Sequence, residues 1–287
     1  MTRASQRRRV HRYSAEGTVS ARADTLAGEE PLEIRLDGSP FTVTMRTPGH
    51  DFDLVAGFLV SEGVVRAPAE IVQMDYRSGV GPDGRRTYNV VEVRLAPGVA
   101  LPDTSMERHV YTSSSCGICG TASIEAVTKV SSFGPAQDPV RLPVPAVLAL
   151  PDRLRTGQKL FARTGGVHAA ALFRFPDSPA DDDAAAAEPE LLCVREDVGR
   201  HNAVDKVVGW ALRDGLLPLR STVLQVSGRA SFELVQKASM AGIPALAAVS
   251  APSALAVDLA DRTGITLLGF SRGTSFTAYA HRQRLVP

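Results

Sequence analysis

Two cysteines stand three residues apart in the segment "YTSSSCGICG", where serines and glycines surround Cys116 and Cys119. The only other cysteine, Cys193, lies within the apolar run "LLCV" and is predicted to be buried. This spacing suits three chemistries: half of a zinc site, a dithiol redox pair, or a thiol that carries sulfur as a persulfide. Serine and glycine neighbours favour an exposed, flexible thiol. They therefore favour the sulfur carrier, while the other two chemistries stay open.

The alternatives to a sulfur carrier have weaker support. A closed zinc site needs four ligands, and neither His168 nor His201 has ligand spacing to another donor. A zinc deaminase has H-x-E followed later by P-C-x-x-C, whereas alanines follow His168 and Ser115 replaces the proline. We therefore expect no metal ligands. A thioredoxin-like redox pair and a purely structural pair of cysteines both remain compatible with the position.

Further candidate residues follow predicted strands. The segment "EDVGRHNAVDK" concentrates charged and polar side chains at a helix start, and it nominates His201 and Asn202 to line a cofactor cleft. Asp197 or Asn202 could instead serve only to cap the helix, and Arg200 and Asp205 could serve only as a surface ion pair. Ser227, Gly228 and Arg229 are predicted to open a helix after a strand, a position that binds phosphate through backbone N–H groups. His168 is a candidate to tune a thiol or contact a cofactor, or it is a buried core histidine.

The elements that position these residues become regular from Thr222 onward. "TVLQVSG", "PALAAVS" and "ITLLGFSRG" are predicted strands, and "SFELVQKASMAG" and "SALAVDLADRTG" are predicted helices between them. This alternation predicts βαβ crossovers and a parallel sheet. Open sheets of this kind bind ligands at the carboxyl ends of their strands. That edge would hold residues 227–229, 250–252 and 271–273.

The rest of the chain predicts a three-part organisation. Residues 1–29 form a basic, flexible tail, residues 30–110 a smaller β-rich N-terminal domain, and residues 111–287 an α/β domain with the CxxC loop. Within the second part we expect a hairpin around Asp37 and a helix capped by Asp51. In the third, two helical pieces end at Gly165, and "VHAAALFRF" and "ELLCVRED" are neighbouring strands. The Pro-, Asp- and Ala-rich stretch 176–190 between those strands is predicted to be a mobile surface insertion.

Composition limits the functional class. The chain has 287 residues, 44% of them apolar, and a net charge of +1, so bulk charge indicates neither a nucleic acid nor a membrane partner. No run approaches the ~18 apolar residues of a membrane span. Three cysteines cannot build a disulfide framework, which favours a cytoplasmic location.

Six segments, in order along the chain, resemble one family. They are "TPGHDFDLVAGFLVSEGVV", "SSSCGICG", "FARTGGVHAAAL", "REDVGRHNAVDKVVGWAL", "SGRASFELVQKASMAGIP" and "GFSRGTSF". The chain is similar over residues 30–285, the insertion excepted, to the FdhD family of formate dehydrogenase accessory sulfurtransferases. The family fold implies an α/β, cytidine-deaminase-like core with βαβ units, plus a smaller β-rich N-terminal part.

The resemblance also implies a reaction. Family members take persulfide sulfur from a cysteine desulfurase and pass it to the molybdenum of the bis(molybdopterin guanine dinucleotide) cofactor, their bound substrate, which formate dehydrogenase needs. They are expected to act in the cytoplasm as homodimers. The sulfur-carrying residues would be Cys116 and Cys119. The segment that binds the guanine nucleotide moiety would be Phe270, Ser271, Arg272, Gly273, Thr274 and Ser275.

One position departs from the family pattern. Members often have a second basic residue where Thr274 stands, so Arg229 could supply that charge instead. Two other functions remain open from the sequence: a cofactor-binding chaperone that transfers no sulfur, and a dithiol oxidoreductase.

Overall fold

The computed structural model describes residues 4–77, 79–80, 84, 86–101, 131–176 and 188–287. Its strands, in chain order, are β1 (Ser5–Tyr13), β2 (Val19–Ala27), β3 (Glu30–Leu36), β4 (Ser39–Arg46), β5 (Ile71–Tyr76), β6 (Gly79–Val80), β7 (Arg86–Thr87), β8 (Val90–Leu95), β9 (Leu142–Pro143), β10 (His168–Arg174), β11 (Glu190–Asp197), β12 (Thr222–Val226), β13 (Ala245–Ala248), β14 (Thr266–Arg272), β15 (Ser275–Ala280) and β16 (Leu285–Val286). Its helices are α1 (Asp51–Glu62), α2 (Val144–Gly157), α3 (Lys159–Thr164), α4 (Arg200–Arg213), α5 (Phe232–Met240) and α6 (Ala254–Thr263).

A six-stranded sheet forms the centre of the molecule, with the spatial order β11-β10-β12-β13-β14-β15. β12, β13 and β14 pair in parallel, and α5 and α6 connect them, which confirms the predicted βαβ units. β10 is antiparallel to both β11 and β12, as expected for the two strands predicted to be neighbours. Every residue of β12 and β13 is buried, because helices cover both faces of the sheet. The mixed α/β fold class is confirmed.

Two apolar clusters cover the two faces of this sheet. On one face, α4 lies against β10 and β11 and α5 against β13, and Val204, Val207 and Leu234 of these helices share one apolar cluster with the strands. On the other face, Leu150 and Leu154 of α2 pack with strand residues of the same sheet. Alternate residues along each buried strand therefore face opposite cores.

The end of α3 at Gly165, with φ of 64°, also matches the predicted end of the two helical pieces.

A smaller sheet of order β4-β3-β8-β5 precedes the large one. β3 and β4 form the predicted hairpin, with Asp37 and Gly38 both at positive φ in the turn. The predicted N-cap of α1 is wrong. His50 occupies that position, while the carboxylate of Asp51 accepts hydrogen bonds from Arg46 Nε at 3.1 Å and Arg46 Nη2 at 2.9 Å. Arg46 is fully buried, and leaving its charge without a partner would cost more free energy than leaving the helix without a side-chain cap.

The crossing of α1 and α4 joins the two sheets. Gly57 and Gly209 face each other there, and a Cβ on Gly57 would lie 1.8 Å from the carbonyl oxygen of Asp205. A Cβ on Gly209 would lie 1.8 Å from the carbonyl oxygen of Asp53. The two helix backbones are in direct contact, so only glycine fits at either position.

One apolar core continues across this crossing. It includes Leu32 and Ile34 of the small sheet, Leu54 of α1, and Leu224 and Leu246 of the large sheet. The small β-rich part is thus packed onto the α/β part. The predicted domain boundary at residues 110/111 lies outside the described residues and stays a prediction.

The N-terminal segment differs from the flexible tail that its basic sequence predicted. β1 and β2 pair over nine residues in an antiparallel hairpin, from Ser5 opposite Ala27 to Tyr13 opposite Val19. β1 was not predicted because its run of arginines lacks the alternation of apolar and polar residues that is typical of a strand. Strand pairing itself depends on backbone hydrogen bonds, which a charged sequence can also form. Cys116, Cys119 and residues 177–187 of the predicted insertion lie outside the described residues. No described helix is both long and apolar enough to cross a membrane.

Candidate cofactor-binding edge of the large sheet

Four strands of the large sheet end at one edge. β11, β12, β13 and β14 run in the same direction, and β10 runs in the opposite direction, so the start of β10 lies beside their carboxyl ends. This places His168, Ser227, Ser250 and Arg272 at one edge of the sheet. Polar residues that follow buried strands here can face a ligand without disturbing the core.

Backbone hydrogen bonds connect the turns along that edge. Ser250 N donates to the carbonyl of Gly228 at 3.2 Å, and Phe270 N donates to the carbonyl of Ser250 at 3.2 Å. The structure therefore brings the "SGRAS" turn and the start of the "FSRGTS" segment together, with the turn after β13 between them. Ser250 was placed at this edge by the sequence but was not nominated as a site residue.

The "SGRAS" turn is held against β10. Ser227 Oγ accepts from Ala169 N at 2.9 Å, and Ser227 N donates to the carbonyl of Ala169 at 3.0 Å. A Cβ on Gly228 would lie 3.4 Å from His168 Nδ1, an ordinary contact distance, so the turn and this imidazole are direct neighbours. Arg229 is exposed. The predicted helix "SFELVQKASMAG" is confirmed as α5, with Ser231 as its N-cap. The prediction that Ser227, Gly228 and Arg229 open this helix is wrong, because Ser227–Ala230 form a turn that bonds to neighbouring turns before the helix begins.

The first turn of α4 lies at the same edge, directly after β11. Its N-cap Gly199 makes no side-chain cap bond, and the first turn contains no acidic residue. The free N–H groups and positive dipole end of such a helix favour an anion. Arg200 adds a guanidinium there, and its Nε is buried without a hydrogen-bond partner among the described residues.

His201 links α4 to the start of α5. Its Nε2 lies 3.2 Å from Ser231 Oγ and 3.7 Å from Glu233 Oε2. Burial alone would raise the pKa of Glu233, but hydrogen bonds from His201 and Ser231 outweigh it and lower this pKa to about 2. Glu233 is therefore a carboxylate at neutral pH. The other imidazole nitrogen, Nδ1, is buried and has no partner in the described part of the chain.

His168 is only half-buried and lies near the same positive charges. Burial lowers its pKa below the ordinary value, and the charges of Arg200 and His201 lower it further. The imidazole is accordingly neutral at pH 7. A neutral ring can accept a hydrogen bond, which a protonated ring cannot.

Several other polar residues of "EDVGRHNAVDK" are engaged within the fold. Asp197 and Lys206 form a buried pair at 2.7 Å, and Lys206 Nζ also donates to the carbonyl of Thr47 at 2.9 Å. Asn202 Nδ2 donates to the carbonyl of Met45 at 2.7 Å and to Asp197 Oδ1 at 3.1 Å. These contacts fasten α4 to the small sheet. Asn202 thus has a structural role, and the cofactor contact that the sequence predicted for it stays a prediction.

Two further acidic residues of that segment hold neighbouring helices. Asp205 accepts from both Ser61 Oγ at 2.7 Å and Lys237 Nζ at 2.8 Å, which joins α1, α4 and α5. Glu196 accepts from Leu160 N and Phe161 N, each at 2.7 Å, and so caps the start of α3. Within this cluster, Arg200 and His201 retain buried nitrogen atoms for a ligand.

The "FSRGTS" segment forms a β-hairpin. β14 continues through Ser271 and Arg272, within the predicted strand "ITLLGFSRG", and turns at Gly273 and Thr274 into β15. Gly273 has φ of 60°, which permits the tight turn. β15 was missed because "RGTS" lacks the Asn-Gly or Asp-Gly signal of a two-residue hairpin.

The side chains of this hairpin divide into two groups. Phe270 is at φ of 51° and 39% exposed, and the Arg272 guanidinium lies 6.0 Å from its ring centroid. Arg272, Thr274 and Ser275 are exposed at the turn. Ser271 is fully buried, and its Oγ has no hydrogen-bond partner among the described residues. An exposed ring beside a guanidinium can stack on a flat heterocycle and pair with a phosphate.

The described residues contain no group of three histidine, cysteine, aspartate or glutamate side chains placed to hold a metal ion. The third cysteine, Cys193, is buried in β11, as predicted. Burial raises the pKa of its thiol to about 12, so it is neither a thiolate nor accessible at neutral pH.

Comparison with known proteins gives consistent results. The model of the FdhD/NarQ family matches residues 27–286. A protein of Streptomyces avermitilis named sulfur carrier protein FdhD is 58% identical over 99% of this chain and 97% of its own length. Proteins of the same name from Mycobacterium tuberculosis and Anaeromyxobacter dehalogenans are 54% and 45% identical, over 98% and 94% of this chain.

A solved structure has the same fold. The crystal structure of a proposed formate dehydrogenase accessory protein from Desulfotalea psychrophila superposes with a TM-score of 0.69 at 22% identity. The superposition covers 99% of this chain and 100% of that protein.

Proposed function

The chain belongs to the FdhD/NarQ family, and from that premise we propose that it is a sulfur carrier in the maturation of formate dehydrogenase. The single observation that carries this proposal is the name sulfur carrier protein, borne by relatives that are 45–58% identical over nearly the whole chain. The single CxxC of the sequence supports it, because its serine and glycine neighbours predict an exposed thiol and a carrier needs one.

The carrier thiol is Cys116, with Cys119 beside it. The Cys116 thiolate attacks the terminal sulfur of a persulfide on a cysteine desulfurase, and the sulfur–sulfur bond of the donor breaks. The donor cysteine leaves as a thiolate, and Cys116 holds the transferred sulfur as its own persulfide. No net oxidation or reduction occurs in this exchange. Cys193 takes no part, because its thiol is buried and its pKa is raised to about 12.

The recipient is the molybdenum of the bis(molybdopterin guanine dinucleotide) cofactor, bound as a substrate at the carboxyl edge of the large sheet. Each dinucleotide arm carries a diphosphate, which suits the exposed guanidiniums of Arg229 and Arg272 and the open first turn of α4. The unpartnered Ser271 Oγ and Arg200 Nε are buried polar atoms that bound ligand groups would satisfy. Phe270 is exposed enough to stack on a guanine ring.

A mass measurement tests sulfur loading directly. The protein is incubated with a cysteine desulfurase and cysteine, and the cysteine-containing peptides are then analysed by mass spectrometry without reductant. We expect one added sulfur atom on Cys116 in the wild type and in Cys193→Ala, and none in Cys116→Ala. A chaperone would gain no sulfur, and a dithiol oxidoreductase would gain only a disulfide. Either result would overturn the proposal.

A further inference from the structure

The hairpin of β1 and β2, residues 5–27, projects from the rest of the fold and is called here the arginine arm. Most of its side chains are exposed, and none is fully buried. Its attachment is at the open end, where Arg163 Nη2 of α3 donates to Ser5 Oγ at 2.6 Å and Gly28 N donates to the carbonyl of Ala4 at 2.8 Å. The arm is thus held at one end and presented to solvent along most of its length.

Both long edges of the arm lack a partner strand among the described residues. Among the described helices, the arm packs mainly against α3, through β2. A two-stranded hairpin with so little packed against it is marginally stable in water, and open edges can accept an additional strand. The arm also exposes apolar side chains, with Tyr13 at 75%, Val19 at 55% and Leu26 at 44%. An added strand would satisfy the edge and cover part of this apolar surface.

The charge of the arm is strongly positive. It contains five arginines, no lysine and two acidic residues, Glu16 and Asp24. Within the described structure the only ion pair of these arginines is Arg22 with Asp24 at 3.4 Å, and both side chains are exposed. An open groove of about 380 Å³ is lined by Arg7, Arg8, Arg9, Ala21, Arg22 and Ala23. The residue opposite Arg9 is Ala23, whose small side chain leaves this guanidinium uncovered.

We propose that the arginine arm is a docking site for an extended acidic segment of a partner protein, which adds to the arm as a third strand. The planar guanidinium of an arginine can donate two parallel hydrogen bonds to one carboxylate. Side chains of an added strand alternate between its two faces, as Arg7 and Arg9 alternate with Arg8 on β1. A strand paired along the nine residues of β1 would extend about 30 Å.

Two other occupants fit the charges less well. A second copy would bring an identical arm, so five arginines would face five arginines. A nucleic acid would extend beyond the arm onto the remainder of the chain, which carries 27 basic and 29 acidic residues. The net charge of that remainder is therefore −2, without the basic excess that nucleic-acid-binding proteins use. A short acidic strand is confined to the arm.

The test uses the full chain and three labelled probes in fluorescence anisotropy: a ten-residue peptide of alternating Glu and Thr, a ten-residue peptide of alternating Glu and Pro, and a ten-nucleotide oligothymidine. The arm variant carries Arg7→Gln, Arg9→Gln and Arg22→Gln. Its matched control carries Arg66→Gln, Arg141→Gln and Arg220→Gln, at three exposed arginines elsewhere. The arm variant is checked by circular dichroism for unchanged folding.

We expect the Glu-Thr peptide to bind the wild type and the control equally, and the arm variant at least about tenfold more weakly. The Glu-Pro peptide should also bind at least about tenfold more weakly, because proline cannot donate ladder hydrogen bonds. Equal binding of the Glu-Thr peptide to wild type and arm variant, or of both peptides to the wild type, would overturn the proposal. If the oligothymidine bound the wild type more tightly than the Glu-Thr peptide does, the proposal would be overturned in favour of a nucleic acid. If sedimentation showed a dimer of the wild type that is absent in the arm variant, it would be overturned in favour of a second copy.

Discussion

The polar side chains at the carboxyl edge of the large sheet fall into two groups. Those of the first group make hydrogen bonds or ion pairs within the fold, and those of the second keep a buried atom that has no hydrogen-bond partner among the described residues. Asp197, Asn202 and Lys206 are engaged with one another and with the small sheet. His201 and Arg200 each keep a buried nitrogen without a partner among the described residues. The first group fixes the position of α4, and the second group can contact a ligand there.

The sequence identified this cluster but could not separate the two groups. Asn202 donates to Met45, which is 157 positions away along the chain, and Ser61 donates to Asp205 across 144 positions. Such partners depend on how the two sheets pack, and residue spacing does not record that packing. The burial of Cys193 was predictable, because its immediate neighbours Leu191, Leu192 and Val194 are all apolar.

Arg272→Ala tests the guanine nucleotide contact. A hydrogen bond to a charged group contributes roughly 1.5–3 kcal/mol, so loss of this exposed guanidinium should weaken GDP binding about ten- to a hundredfold. Calorimetric titration measures this, with Arg220→Ala as the matched control. Arg220 is also exposed but precedes β12, at the opposite edge of the sheet. Equal affinity in both variants would remove the β14–β15 hairpin from the site.

His168→Gln tests the neutral imidazole. Because burial lowers the pKa of His168 in the folded state, the unfolded chain binds this proton more readily as the pH falls through about 6.5. The wild type should therefore lose stability between pH 7.5 and pH 5.5 by more than the glutamine variant does. Urea unfolding at the two pH values gives the difference, and an identical loss in both proteins would contradict the assignment.

Among the elements, the α1–α4 crossing depends most strictly on residue size. Because a Cβ at Gly57 would lie 1.8 Å from a backbone oxygen, Gly57→Ala must push the two helices apart. Overpacking of a rigid core typically costs 1–3 kcal/mol, and we expect at least about 3 kcal/mol here. Gly166→Ala is the control, since its nearest neighbour, Ala27 Cβ, would be at an ordinary 3.6 Å. Urea midpoints that shift equally in both variants would contradict direct contact between the helices.

The insertion between β10 and β11 can be tested from its described ends. Arg174 and Glu190 are paired across the two strands, so a short turn can close the connection. Replacing residues 177–187 with a four-residue Gly/Ser turn should change the free energy of unfolding by less than about 1 kcal/mol, because loop-closure entropy varies slowly with length. Urea unfolding measures this. A larger destabilisation would mean that the segment packs on the fold.

Some elements were predictable and others were not, for physical reasons. The βα alternation from β12 to β14 was predicted because buried strands and amphipathic helices have different apolar periods. β15 follows a turn without a strong hairpin signal, and β1 and β2 have few buried side chains, so neither gave an apolar period to detect. The two crossing glycines gave no signal, because a glycine within a helix does not indicate which backbone it contacts.

At the scale of the whole molecule, the buried Asp197–Lys206 pair connects the α/β part to the small sheet. Lys206 is 1% exposed and also donates to the carbonyl of Thr47, which leads from β4 toward α1. Since one apolar core also spans both parts, we expect the described fold to unfold in a single transition. Trp210, the single tryptophan of the chain, lies on α4 and reports on this junction by fluorescence.

Lys206→Met tests this coupling. It leaves Asp197 buried without its counter-charge, which should cost about 3–5 kcal/mol. The control, Arg174→Met, breaks an exposed pair with Glu190 and should cost about 0–1 kcal/mol. Urea unfolding is followed by far-UV circular dichroism for the whole chain and by Trp210 fluorescence for the junction. For Lys206→Met both midpoints should fall together, because the two sheets share one core. A fluorescence midpoint that falls while the dichroism midpoint stays unchanged would mean that the small sheet and the large sheet unfold independently.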